Sequence, residues 1–300
     1  MLQNIQEKFS IHPNTQLGAV SLAVSNLDSQ ISFYQQILGL YLHTREGNIA
    51  ILGTSSQQLV HLEEFPDLKR YRGVTGLYHL AIVFPSQGEL ARVVARLIAA
   101  RHPISPTDHI MTKAIYLDDP EGNGIELYAE SPEDGTWFME EDRYFARRAD
   151  GSLSDGREPL DLKALFNHLP DTEPLDTTIP EGTRMGHVHL HVQDIKEALN
   201  FYHGLLGFDI MGQVTGYQMA FVSAGGYHHH IGLNTWQGVG APPPPPDALG
   251  LRQLVVNLPD QDSLQTVIRR IDAAGVRYDS RGEGILLQDP SQNSVLLTTP

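Results

Sequence analysis

Residues 109–128 read HIMTKAIYLDDPEGNGIELY and bring together a histidine at 109, a tyrosine at 116 and a glutamate at 126. Glu126 lies between Ile125 and Leu127, in a short apolar run with the character of a strand. A carboxylate there loses its hydration, so an uncompensated charge is costly and another group has to neutralise it. The chain holds 14 histidines, some of them in two dense runs, HVHLH at 187–191 and HHH at 228–230. It has no cysteine, which excludes disulfides, thiolate catalysis, zinc fingers and iron–sulfur clusters. Any metal must therefore sit on His, Asp, Glu or other nitrogen and oxygen donors.

Each of these residues also has an ordinary explanation. His109 alone reads as a loop histidine, His79 as a structural histidine in a strand, and Tyr116 as a core tyrosine with a satisfied hydroxyl. The HHH run could lie on the surface, although Tyr227 and Ile231-Gly-Leu around it suggest a partly buried strand. Asp119-Pro120-x-Gly122 is a good turn whose role is to aim the Glu126 strand. The Gly-Asn-Gly within it is too weak to suggest phosphate binding. Glu126 resists such a reading, because an apolar strand offers it no solvation. The conjunction carries the chemistry.

The elements that must position these residues form a repeat. LGAVSLAVSNLDSQISFYQQILGL (17–40) aligns without a gap on MGHVHLHVQDIKEALNFYHGLLGF (185–208). Each opens with alternating apolar residues, turns at an Asp, and enters a helix whose Phe-Tyr and Leu pack inward before a Leu-Gly end. A second pair, GLYHLAIVFP (76–85) and GLRQLVVNLP (250–259), precedes helices predicted over 86–100 and 260–274. Each of these units ends on a strand after Asp-Pro, at 118–128 and 288–298. The fold class is α+β: four βαβββ modules in tandem, at 15–64, 74–130, 184–236 and 248–299. They divide the chain into an N-terminal domain (1–130), a connecting segment (131–183) that links and wraps the halves with a short helix at 161–169, and a C-terminal domain (184–300). A stretch of 131–183 without regular elements is long for one compact domain, which argues for a linker. APPPPPDA (241–248) is a stiff spacer.

The totals limit the partners. A formal net charge of −15 argues against nucleic acid and anionic membranes, since phosphate binding needs clustered Lys and Arg. The opening MLQNIQEKFSIHP has no apolar leader core and no run is long enough to span a bilayer, so a cytoplasmic location is expected. Nothing here sets the oligomeric state, and a homo-oligomer remains open.

Tandem modules with a strand, an Asp turn and a helix bearing FYxxxLGF resemble the vicinal oxygen chelate superfamily, which includes glyoxalase I, bleomycin resistance proteins and extradiol dioxygenases. GLYHLAI, DPEGNGIELY, GHVHLHV and GGYHHHIGLNTW are most similar to catechol 2,3-dioxygenase-like proteins of bacilli. Residues 109–126 are similar to the extradiol signature: His109, Ile115-Tyr116, Asp119-Pro120, Gly122 and Glu126. The resemblance implies modules paired into two half-barrel clefts. It makes Glu126 a metal carboxylate, places His109 and Tyr116 against the substrate, and puts metal imidazoles near the start of a module's first strand. Those positions are His79 and His187; their counterparts in the other modules are Gln253 and Ala19, and Leu296 stands where Glu126 does.

A full triad of His79, Glu126 and His187 forms only if the second module pairs with the third, within one chain or between two. The expected activity is metal-dependent extradiol cleavage of a catechol-type aromatic diol with O2, with Fe(II), or Mn(II) on the same ligands. His230 is favoured as the acid–base group and His228 is the alternate; His189 and His191 are pocket lining or structural. The competing readings are a glyoxalase-type isomerase or lyase on Zn or Ni with His230 as fourth ligand, and a ligand-sequestering protein without a metal.

Overall fold

A computed structural model describes residues 9–140, 142–169 and 174–300; residues 1–8, read above for a leader, lie outside the described residues. Within each module the first strand runs parallel to the last: Gln16–Val24 beside Gln58–Glu64, Gly76–Phe84 beside Gly124–Glu130, Arg184–His191 beside Ile231–Asn234, and Gly250–Asn257 beside Ser294–Thr298. Modules then join through their first strands, which pair antiparallel. Gly76–Phe84 pairs with Arg184–His191, and Gln16–Val24 with Gly250–Asn257. The second module thus shares a nine-stranded sheet with the third, and the first shares an eight-stranded sheet with the fourth. Neither sheet follows the division of the chain at 131–183. One continuous apolar core, including Leu22, Leu80, Ile82, Val188 and Val256, runs through both sheets and the helices.

The helices form where expected. Gln87–Ala99 is capped by Ser86, whose hydroxyl accepts from the Glu89 N–H, and Gln261–Ala273 is capped by Asp260. The Phe-Tyr helices, Leu27–Ser32 and Ile195–Leu199, widen at their ends into a turn with i→i+5 bonds, Leu38 N–H to Phe33 and Leu206 N–H to Phe201. Gly39 and Gly207, at φ of +83° and +89°, then end them in the left-handed conformation that the Leu-Gly motif predicts.

The segment 131–183 does more than connect. Gly135–Glu140, Arg143–Arg148 and Leu153–Ser154 form a small sheet of their own, and Glu158–Pro159 adds an edge to the nine-stranded sheet beside Ser105–Asp108. The short helix within it covers Leu162–Phe166, capped by Asp161. No helix among the described residues is long and apolar enough to cross a membrane.

Candidate active site

Alternation along Gly76–Phe84 sends Leu80, Ile82 and Phe84 into the common core and turns His79, Ala81 and Val83 to the opposite face. Glu126 registers with Ala81 from one neighbouring strand, and His187 registers with Ala81 from the other. Glu126, Ala81 and His187 thus form one row across three strands, with His79 two residues away on the same face. A methyl at position 81 leaves the middle of that row open. The ladder shifts register between Met185 and His187 and again between His189 and Leu190. Such bulges re-aim side chains, and here they bracket the two histidines that turn into the cleft.

Three donor atoms meet above Ala81. His79 Nε2 and His187 Nε2 are 3.2 Å apart, and Glu126 Oε2 lies 3.2 Å from the first and 3.0 Å from the second. All three residues are buried. Burial alone would push the Glu126 carboxyl up, but the charge and hydrogen bond of His187, together with those of His79, outweigh it and hold the group well below the usual carboxylate range. Burial pushes the His187 imidazole down despite Glu126 beside it. An ionised carboxylate and a neutral imidazole are the forms that bind a cation, and the three atoms are close enough together to hold one. The imidazoles give Glu126 hydrogen-bonding company, and a cation on the three atoms would neutralise its charge.

Tyr116 is the cross-strand neighbour of Glu126. Burial, then the charge of Glu126 and a hydrogen bond to it, raise its phenol well above the ordinary value, and Arg157 opposes this. His109 Nδ1 donates to the Gly156 carbonyl at 2.6 Å, so its Nε2 is left to accept the Tyr116 hydroxyl at 3.0 Å. A cavity of about 560 Å³ opens over these groups and is lined by His79, His109, Tyr116, Glu126 and His187 among others.

Sequence reasoning favours His230, with His228 as alternate, for the acid–base role, and the structure turns the His230 ring toward Ser223. Its Nδ1 faces Ser223 Oγ at 2.8 Å and accepts the Ala224 N–H at 3.2 Å, and its ring does not line the cavity. Strand alternation does not govern this residue because Ile231–Asn234 begins only after it. His228, the alternate, and His229 line the cavity instead. The His229 ring sits 4.1 Å from that of His187 and 4.8 Å from Phe221; His228 packs on Tyr227 at 4.1 Å. With His187 they form a second group close enough to share an ion. His189 lines the cavity between Tyr78 and Trp236, and His191 lies outside it, bonded to Asn234 Oδ1 at 2.7 Å.

Several contributors escaped the sequence reading. Gly232 registers with His189, and a Cβ there would meet the His189 ring at 2.8 Å. Trp137 and Tyr144, stacked at 5.4 Å, line the cavity with Gly156 and Arg157, all from the supposed linker. The spacing of aromatic residues in TWFMEEDRYFARR, two short alternating runs, was the available signal.

Comparison with known proteins agrees with this architecture. The family model for the glyoxalase/bleomycin resistance protein/dioxygenase superfamily matches residues 16–127 and 184–294. The chain is 40% identical over 284 residues to a catechol-2,3-dioxygenase of Bacillus subtilis (strain 168), covering 94% of this chain and 96% of that one. Among solved structures, a Bacillus subtilis subsp. subtilis str. 168 protein superposes with a TM-score of 0.63 at 13% identity, over 97% of this chain and 87% of the other. Glyoxalase I from Zea mays superposes with a TM-score of 0.57 at 17% identity, over 95% and 92%. With four βαβββ modules, two shared sheets and matches of this extent in both halves, the chain belongs to the glyoxalase/bleomycin resistance protein/dioxygenase superfamily.

Proposed function

We propose that this protein is a metal-dependent extradiol dioxygenase, which opens a catechol-type aromatic diol with O2 beside, not between, the two hydroxyls. One observation carries the reading: a triangle of two imidazoles and a carboxylate shares its cavity with the hydrogen-bonded pair His109 and Tyr116. In this reading His79, Glu126 and His187 are the metal ligands. Their spacing of 3.0–3.2 Å supports it. The likeness to a relative named catechol-2,3-dioxygenase supports the substrate class.

Fe(II), or Mn(II), on those ligands supplies the chelation of a diol and the electron exchange with dioxygen that ring opening requires. The protein supplies position and protons. Tyr116, beside Glu126 on the cavity wall, would turn its single O–H from His109 Nε2 to a diol oxygen once the substrate is seated. His109 is kept in one tautomer by the Gly156 carbonyl and borders the ring from the other side. We assign the acid–base role to His229, whose ring lines the cavity and has no hydrogen-bond partner among the described residues. Burial, then the charge of His187, lowers its pKa well below the ordinary value, so it arrives neutral, and the proton it would take is one from a diol that a bound cation makes more acidic. Trp137, Tyr144, Phe221 and Trp236 cover the cavity and limit water.

The test is oxygen uptake with catechol by protein loaded anaerobically with Fe(II) or Mn(II), together with appearance of the ring-opened product. A glyoxalase-type isomerase is the second reading, favoured by the added donors His228 and His229 beside His187. Turnover of a hemithioacetal on Zn or Ni, with no oxygen uptake on any metal, would establish it in place of the first.

A further inference from the structure

The cavity is larger than the reaction needs. About 560 Å³ falls within the roughly 300–1,000 Å³ typical of drug-sized ligands, far beyond a bare six-membered diol ring. Its wall also holds one strong cation, Arg157, in a chain where acids outnumber bases 36 to 21. Among the described residues no carboxylate pairs with this guanidinium, which instead lies over the Tyr217 ring at 5.2 Å, toward an adjoining pocket that Arg157 also lines and where Asp142 accepts the Thr215 N–H. The nearby acids are otherwise engaged. Asp155 accepts the backbone N–H of Arg157, and Glu158, also on the cavity wall, is taken by Arg148 and Ser154.

The backbone leading into Arg157 is tied to the site. Its neighbour Gly156 gives its carbonyl to His109 Nδ1 and sits in the left-handed region at φ +68°, where a Cβ would meet the Tyr144 ring at 2.6 Å. The turn is thus pinned to the His109–Tyr116 pair on one side and to the aromatic wall on the other, and Arg157 is the next residue along. Its charge acts on the hydroxyls of Tyr78, Tyr116 and Tyr144.

We propose that Arg157 is an anion subsite at the cavity wall, and that the diol cleaved here bears a carboxylate on a side chain of its ring. The inference rests on the dioxygenase reading and extends it to the substrate class. A planar guanidinium without an acidic partner, held against an aromatic face, is suited to a carboxylate in two-point contact. The reacting diol would lie over the donor triangle, the ring against the aromatic wall, and the side chain would point to Arg157.

The experiment compares a catechol carrying a short carboxylate side chain with its methyl ester, in the full-length protein and in Arg157→Gln and Arg157→Lys. The expected result is a kcat/KM on the order of five- to tenfold higher for the carboxylate, modest because the guanidinium is exposed, expressed in KM and shrinking with added salt. Arg157→Gln should abolish the ratio and Arg157→Lys should restore part of it. Equal kcat/KM for acid and ester in the unaltered protein, or an undiminished ratio in Arg157→Gln, overturns the subsite and leaves the dioxygenase reading standing. If no diol is cleaved, that reading fails, and calorimetric binding of phenylpropanoate against phenylpropanol decides the subsite by itself. Tighter binding of the acid, lost in Arg157→Gln, sustains it; equal binding removes it.

Discussion

At the scale of the residue, the proposed function divides the cluster into groups that would hold a cation and groups that would handle protons, and substitution should separate them. Glu126→Gln keeps the shape and removes the charge. It should lower metal affinity at least 100-fold, measured as metal retained after dialysis, because the remaining imidazoles offer no anion. His229→Ala should retain the metal and lose about 10²–10⁴ in kcat, the usual size of a general acid–base contribution. His230→Gln should leave turnover within a few-fold, since that side chain bonds to Ser223 and Ala224.

The same histidine governs acid stability. Burial, then the charge of Arg184, pushes the His230 imidazole down to about 4 from an ordinary 6.5. Between these values the unfolded chain takes a proton and the folded one does not. The contribution is therefore complete above about pH 6.5 and disappears as pH falls through 4, a loss on the order of 3 kcal/mol. His228, pushed down to about 3 chiefly by burial, adds in the same direction. Urea unfolding of the metal-free protein at pH 7 and pH 4.5 should show the decline, and His230→Gln should decline less.

At the scale of the element, the site depends on small residues at close approaches. Gly186 lies in the bulge before His187, and a Cβ there would strike the Tyr128 hydroxyl, itself bonded to Tyr227. Gly186→Ala should destabilise by about 1–3 kcal/mol through overpacking and displace His187. Adding Tyr128→Phe should recover part of that loss in thermal unfolding. The Asp-Pro turns are a second device. Asp119 Oδ1 accepts the N–H groups of Glu121 and Asn123, and Asp119 Oδ2 meets the Tyr34 hydroxyl of the first module at 3.4 Å. Asp289 repeats this with Ser291, Asn293 and Tyr202, the last at 3.0 Å. Each Phe-Tyr helix therefore reaches the turn of the module that follows it in sequence, although the two lie in different sheets.

At the scale of the whole molecule, the donor triangle joins residues 108 positions apart, His79 and His187, across the seam between two modules. A cation bound there stabilises that pairing as well as itself. Saturation at 100 times Kd should add about 2.7 kcal/mol to unfolding, seen as a raised Tm with Mn(II) that Glu126→Gln lacks. The module repeat, the helix limits and the Leu-Gly caps were legible because they depend on local periodicity; Glu126 stood out as a charge that cannot stand unpaired, and His79 and His187 were put forward through the family resemblance. The pairing of second with third module was legible for a chemical reason, since only that choice gives Glu126 two imidazoles. The orientation of His230 was not legible because it is set by Ser223, at the end of the neighbouring strand, and by Ala224 just after it. The segment 131–183 passed for a linker because its strands pair mostly with one another, away from any repeat.

The order of residues along the chain determined the α+β modules and which side chains could serve as donors, because strand alternation, capping and the cost of a buried carboxylate all act within a few positions of sequence. The three-dimensional packing alone decided that Ala81 keeps the floor of the site open, that His228 and His229 enter the cavity in place of His230, and that Arg157 borders it. Those outcomes depend on bulges, on register between distant strands and, for His230, on bonds to Ser223 and Ala224 across a loop, none of which strand alternation encodes.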